Sequence, residues 1–230
     1  MIEPYYVDES VTIYHGDCRD ILPSLPKVDL VLTDPPYSMK HVDGGGFASA
    51  RAFYRDGALD GMCDFRLADY AEVLASAPQL VMFHSRDQVG EYATWIAERF
   101  GHYDLHVWYK TNAIPFVCNT WKSDIEYIAL GWTAKAHQPV SQEVKSKVWV
   151  SPLERGDLHP TQKPIGLMGK YLVVLTQAGD MVLDPFMGSG TTLLAAKKRG
   201  NRAIGIEIEE RYCEIAANRC RQMVMQWEQQ

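Results

Sequence analysis

Short apolar runs alternate with stretches of helical spacing along most of this chain. Residues 11–14, 28–33, 80–84, 106–109, 125–130, 181–183 and 203–208 are brief runs rich in β-branched or aromatic residues, which predict strands. Residues 67–76, 88–100, 164–177, 191–199 and 210–226 predict helices, with a short helical turn near 19–25. In the second of these, Val89, Tyr92, Ala93 and Ile96 share one face. Pro164 suits a first helical turn, and Gly200 suits the position just past a helix end. Strands alternating with helices predict an α/β fold, a mostly parallel twisted sheet with helices on both faces. Two stretches break the pattern. Residues 38–66 hold Gly44-Gly45-Gly46 and several charges, and residues 133–159 are polar, mixed in charge and without period. Both are longer than an ordinary connection, and long loops in compact domains are functional or disordered.

Composition narrows the class. The chain has 230 residues, 47% of them hydrophobic, which fits a single domain over 1–230 with at most a small insertion. No run approaches the ~18–20 apolar residues of a membrane span. The first residues lack a basic patch followed by an apolar stretch, so neither a signal peptide nor a membrane partner is expected. The five cysteines are odd in number, scattered and without a CxxC pair. That pattern predicts no metal site and no disulfide framework, and fits reduced thiols in a cytoplasmic protein. The net charge of −6 counts against a broad nucleic-acid footprint, although a local basic strip can coexist with acidity elsewhere.

Two constellations carry chemistry. The first runs Asp184-Pro185-Phe186-Met187-Gly188-Ser189-Gly190-Thr191-Thr192, after a short strand and into a helix. Glycines there let a ligand approach the backbone, and the helix start offers free N–H donors. The next strand carries Glu207 near its end, where a carboxylate can accept from both ribose hydroxyls. The pattern is GxG rather than GxGxxG, and no P-loop lysine follows, so a nucleoside cofactor without pyrophosphate fits best. Taken singly, the glycines are a plain strand-to-helix turn and Glu207 a solvated strand end; their conjunction is the stronger sign.

The second constellation, Asp34-Pro35-Pro36-Tyr37, ends the apolar strand at 28–33. Functional groups of open α/β sheets gather beyond such strand ends. The lone pair of an exocyclic aromatic amine is delocalised into its ring, so two acceptors on its hydrogens are needed to free it. The Asp34 carboxylate supplies one, and a carbonyl fixed by the prolines, that of Pro35, supplies the other. Tyr37 offers a stacking face, and a base inside a duplex would have to flip out to reach it. The same four residues are also good turn chemistry.

With these motifs in place, the sequence resembles the permuted β-group of DNA amino-methyltransferases. In that group Asp-Pro-Pro-Tyr precedes FxGxG, as it does here, with His159-Pro160-Thr161-Gln162-Lys163-Pro164 between them. Gly16-Asp17, the stretch from Trp108 to Asn112, and Glu126-Tyr127-Ile128 also look like the family. The resemblance implies a Rossmann-like methyltransferase fold with permuted motif order and S-adenosylmethionine as cofactor. It implies that Asp184, Phe186, Gly188, Ser189, Gly190, Thr191 and Thr192 cradle the cofactor and that Glu207 holds its ribose. Asp17 would face its adenine end, and Thr161 and Lys163 its methionine end. Asp17 read alone is a helix cap, and Lys163 a solvated lysine before a helix. Asp34, Pro35, Pro36 and Tyr37 would receive the target base. An aspartate at 34 looks like the adenine-N6 members, with cytosine-N4 methylation or an inactive DNA-binding relative as alternatives.

Double-stranded DNA is the expected partner. Residues 133–158, with Lys135, Lys145 and Lys147, are a candidate recognition insertion, and 38–66, with Lys40, Arg51 and Arg55, a candidate DNA-contacting loop. Acids are interspersed in both, which is also what a solvated loop shows. A recognition region this short would gain from a homodimer partner. The family implies a bacterial or phage-encoded enzyme of the restriction-modification kind.

Overall fold

A computed structural model of the chain describes residues 2–36, 65–113, 124–133, 144–153 and 163–227, the last five as backbone alone. Nine strands form one sheet: β1 (Tyr6–Val7), β2 (Val11–His15), β3 (Leu30–Thr33), β4 (Gln79–His84), β5 (His102–Lys110), β6 (Ile125–Trp132), β7 (Val148–Ser151), β8 (Met181–Asp184) and β9 (Arg202–Glu207). Their spatial order is β1-β2-β9-β8-β3-β4-β6-β5-β7. The stretch from β2 to β4 is parallel, whereas β6 runs antiparallel to both β4 and β5. Among the described residues, the α-helices are α1 (Cys18–Ile21), α2 (Leu67–Leu74), α3 (Val89–Phe100), α4 (Ile165–Leu175), α5 (Thr191–Arg199) and α6 (Glu210–Trp227).

Strand alternation sorts the core into two layers. Leu30 and Leu32 of β3 join residues of α4, α5 and α6 on one side, while Val31 joins residues of α1, α2 and α3 on the other. All four residues of β3 are buried, as a central parallel strand covered on both faces requires. β3 pairs with β8 in the register Leu30↔Val182 and Val31↔Leu183, which sets their carboxyl ends side by side. From β8 the chain continues through α5 to β9 on one side; from β3 it continues to β4 on the other. The crevice between β3 and β8 is therefore the topological switch point, where open α/β sheets bind ligands.

The edges depart from the sequence reading. β5 begins at His102 rather than 106, and the two-residue β1 was not signalled at all. β7 lies inside 133–158, so part of that expected insertion is an edge strand of the sheet, paired with β5. Its Val148 and Val150 are exposed, and a four-residue strand with one neighbour carries too little periodicity to read.

Candidate active site at the β3/β8 crevice

The β8 side is built around two buried carboxylates. Asp184, the last residue of β8, accepts from Thr33 Oγ1 at 2.7 Å and from the Phe186 N–H at 3.2 Å. Burial pushes its carboxyl up to about 6, against the hydrogen bonds of Thr192, Thr33 and Phe186 that favour the charge. Glu207, at the end of β9, accepts from the N–H groups of Gly188 and Glu209, each at 2.9 Å. Burial also raises its pKa. Among the described residues, neither acid forms an ion pair, so the pocket holds negative charge that a positively charged ligand would match.

The turn between these acids is tightly held. Gly190 sits at φ +82°, and a Cβ there would lie 2.8 Å from that of Ala216. Its N–H donates to Met187 O at 2.8 Å, and Arg219 of α6 braces the turn by donating to Ser189 O at 2.6 Å and Oγ at 3.1 Å. Ser189, Thr191 and Thr192 are buried at the start of α5. Phe186 meets the stacked pair Phe65 and Tyr70 edge-on, with centroids at 5.6 and 5.2 Å, and the Arg19 guanidinium lies 4.9 Å over Tyr70. Asp17 caps α1 through the Arg19 N–H at 2.9 Å and pairs with the Arg19 side chain at 2.5 Å. An aromatic wall, an acid at a strand end and a glycine turn suit a nucleoside bearing positive charge.

The β3 side carries the other chemistry. Asp34 follows β3 directly, Pro35 is buried, and Pro36 is half-buried. Asp34 Oδ2 lies 2.5 Å from the ammonium of Lys163, which is only 5% exposed. Lys163 also lies 3.3 Å from Glu126 Oε2, and Lys110 lies 2.7 Å from Glu126 Oε1. Burial works against the charge on Lys163, but Asp34 and Glu126 outweigh it and raise its pKa. Burial likewise opposes the charge on Glu126, and Lys163 and Lys110 outweigh it, lowering the pKa. The ammonium of Lys163, the residue that the resemblance places near the cofactor's methionine end, lies against these two acids.

Asp34 and Asp184 are thus brought together across the crevice, with the glycine turn and Glu207 adjoining. Tyr37, Thr161, Lys40, Arg51, Arg55 and Lys135 lie outside the described residues. Lys145 and Lys147 precede β7, which three strands separate from β3, and Lys147 pairs with Asp104 at 2.8 Å. The structure does not bring these two lysines to the crevice. Arg219, Arg19, Phe65 and Tyr70 carry no local mark in the sequence, and Lys110 stands out only as part of the stretch from Trp108 to Asn112, with no role attached to it. Among the described residues there is no cluster of metal ligands and no helix long and apolar enough to cross a membrane.

Residues 28–218 match the family of N6/N4 methyltransferases described as DNA methylase. The chain is 28% identical to the type II methyltransferase M.HinfI of Haemophilus influenzae, over 92% of this chain and 68% of that one. It is 28% identical to the type II methyltransferase M2.DpnII of Streptococcus pneumoniae, over 95% and 92%. Among solved structures, the complex of M1.HpyAVI with SAM superposes at a TM-score of 0.65 with 29% identity, covering 91% of this chain and 98% of that one. The cytosine-N4-specific PvuII DNA methyltransferase superposes at 0.71 with 18% identity, over 94% and 88%, a likeness of fold.

Proposed function

The chain belongs to the N6/N4 family of DNA methylases, and from that premise we propose that it methylates the N6 amine of an adenine flipped out of double-stranded DNA. The observation that carries this reading is the meeting of Asp34-Pro35-Pro36 with the Asp184-to-Gly190 turn at the switch point. S-adenosylmethionine is the methyl donor and supplies an electrophilic methyl on a positively charged sulfur. Its charge and nucleoside suit the unpaired acids Asp184 and Glu207, with the ribose on Glu207 and the adenine toward Phe186, Tyr70 and Asp17. Ser189, Gly190, Thr191 and Thr192 line the approach at the start of α5.

Asp34 accepts one hydrogen of the target amine and the Pro35 carbonyl the other, which frees the nitrogen lone pair for in-line attack. As the new C–N bond forms, the C–S bond breaks and its electron pair stays on sulfur. The surplus proton on nitrogen leaves by way of Asp34. Tyr37 stacks on the base, and Lys40, Arg51, Arg55, Lys135, Lys145 and Lys147 contact the phosphate backbone. Attack is direct, so no cysteine takes part; Cys18, Cys213 and Cys220 are buried, and burial pushes the thiols of Cys18 and Cys213 up to about 12. The protein acts in the cytoplasm, as a homodimer whose second subunit widens the DNA surface.

Unmethylated DNA incubated with labelled S-adenosylmethionine, then digested to nucleosides, should yield N6-methyldeoxyadenosine. A labelled deoxycytidine would overturn the base assignment. Asp34→Ala should lower transfer by at least about a thousandfold and leave cofactor affinity within a few-fold. Light scattering should give twice the chain mass without DNA, and twice the chain mass plus that of the duplex with it; a single chain in both would remove the dimer.

A further inference from the structure

The arrangement of charge behind Asp34 points to a second function for residues not expected to touch the base. Four ionised groups alternate in one line: Asp34, Lys163, Glu126 and Lys110, with contacts of 2.5, 3.3 and 2.7 Å. They come from the end of β3, the head of α4, β6 and the end of β5. They share one face of the sheet, where Phe83 of β4 lies under Lys163 at 5.2 Å and Trp108 under Lys110 at 5.4 Å. Two acids and two bases make the line neutral overall.

We infer that Glu126 is a positioning residue for methyl transfer, acting on Asp34 through the ammonium it shares with Asp34, that of Lys163. This rests on Asp34 being the acceptor of the target amine. A buried lysine paired with Asp34 alone would hold the carboxylate rigidly while drawing off the electron density that the amine hydrogen needs. Glu126 takes part of that pull, and Lys110 keeps Glu126 itself ionised in its buried position. The placement of Glu126 makes a purely structural salt bridge a poor account. Asp34 alone would neutralise the charge of Lys163, whereas Glu126 is a second buried acid whose own desolvation has to be offset, here by Lys110 as well as by Lys163.

Among the described residues, the charged groups facing Asp34 are Lys163, with Glu126 and Lys110 in line behind it, and Asp184 from β8. The two neighbours of the shared ammonium therefore have opposite effects. Removing the Glu126 charge leaves Lys163 acting on Asp34 unshared. Removing the Lys163 charge leaves Asp34 facing Asp184, with Glu126 behind.

The test is single-turnover transfer to cognate DNA, with cofactor affinity measured separately, for Glu126→Gln, Lys163→Met, Lys163→Arg and the Glu126→Gln/Lys163→Met pair. Glu126→Gln is isosteric, so it carries the test if Lys163→Met does not fold, with an unchanged far-UV spectrum as the check that it is folded. Transfer should fall at least about tenfold in Glu126→Gln with cofactor affinity within about threefold, and Lys163→Arg should recover part of the rate lost in Lys163→Met. The acidic limb of the rate–pH profile should move down in Glu126→Gln and up in Lys163→Met. The paired variant should be no slower than Lys163→Met alone, because Glu126 acts through that lysine. The inference is overturned if the limb stays in place or moves the same way in both single variants. It is also overturned if cofactor affinity falls in step with rate, which would put Lys163 on the cofactor. A wild-type protein that methylates no adenine at all would sink the underlying reading instead.

Discussion

Asp184 shows what a single residue gives up for a site. An ordinary aspartate ionises near 3.8, and burial brings this one up to about 6. Between those values the folded state holds a proton that the unfolded state has released. Folding therefore weakens as pH rises through that window and is level above it, by on the order of 3 kcal/mol for a shift of this size. Subtracting the unfolding free energy of Asp184→Asn from that of the wild type at each pH should reveal this fall, and the variant should be the more stable protein at pH 7. Cofactor affinity in the same variant should drop, since on the proposed reading this carboxylate faces the cofactor's positive charge. Glu207→Gln should weaken cofactor binding by about 1–3 kcal/mol, read by titration calorimetry, because a charged acceptor is replaced by a neutral one. Asp34, Asp184 and Glu207 were legible from sequence because each sits in a local motif at a strand end. The partners of Lys163 were not. The sequence shows a lysine before Pro164; only the pairing of four separate elements decides that its ammonium meets Asp34 and Glu126.

At the level of elements, the glycine turn is held from a distance. Arg219 of α6 donates twice to Ser189, though thirty residues separate them along the chain. Arg219→Leu should leave the far-UV spectrum intact and raise the cofactor Kd by about tenfold, since the turn then depends on its own few hydrogen bonds. Gly190→Ala should cost more, about 2–4 kcal/mol in thermal unfolding, because a positive φ and a 2.8 Å approach to Ala216 act together. The longer helices were readable because each buries a periodic face, and the central strands because each is an unbroken apolar run covered on both sides. β1 and β7 were not, being edge strands of two and four residues. The helical boundary at Gly200 was visible from its glycine; that of α4, which ends in an extended Thr176 with no glycine, had no such mark.

On the scale of the whole molecule, the order of motifs in the chain and their order in the sheet are different things. Thr33 and Asp184 are 151 residues apart in sequence and hydrogen-bonded in space. The alternation of strands and helices predicted an α/β sheet but carried no information on which strands adjoin, so the crevice itself was out of reach until the pairing was known. That pairing also has a bearing on how the protein is made. β8 and β9, from the last quarter of the chain, lie between β2 and β3, both completed near its beginning. A nascent chain leaving the ribosome therefore holds two early groups of strands with a gap where the middle of the sheet belongs. Ribosome-arrested chains should stay open to protease until residue 207 has emerged, then become resistant in one step. A chain that stops short of β9 would accordingly be inert, because it lacks one wall of the crevice and the middle of the sheet that holds it.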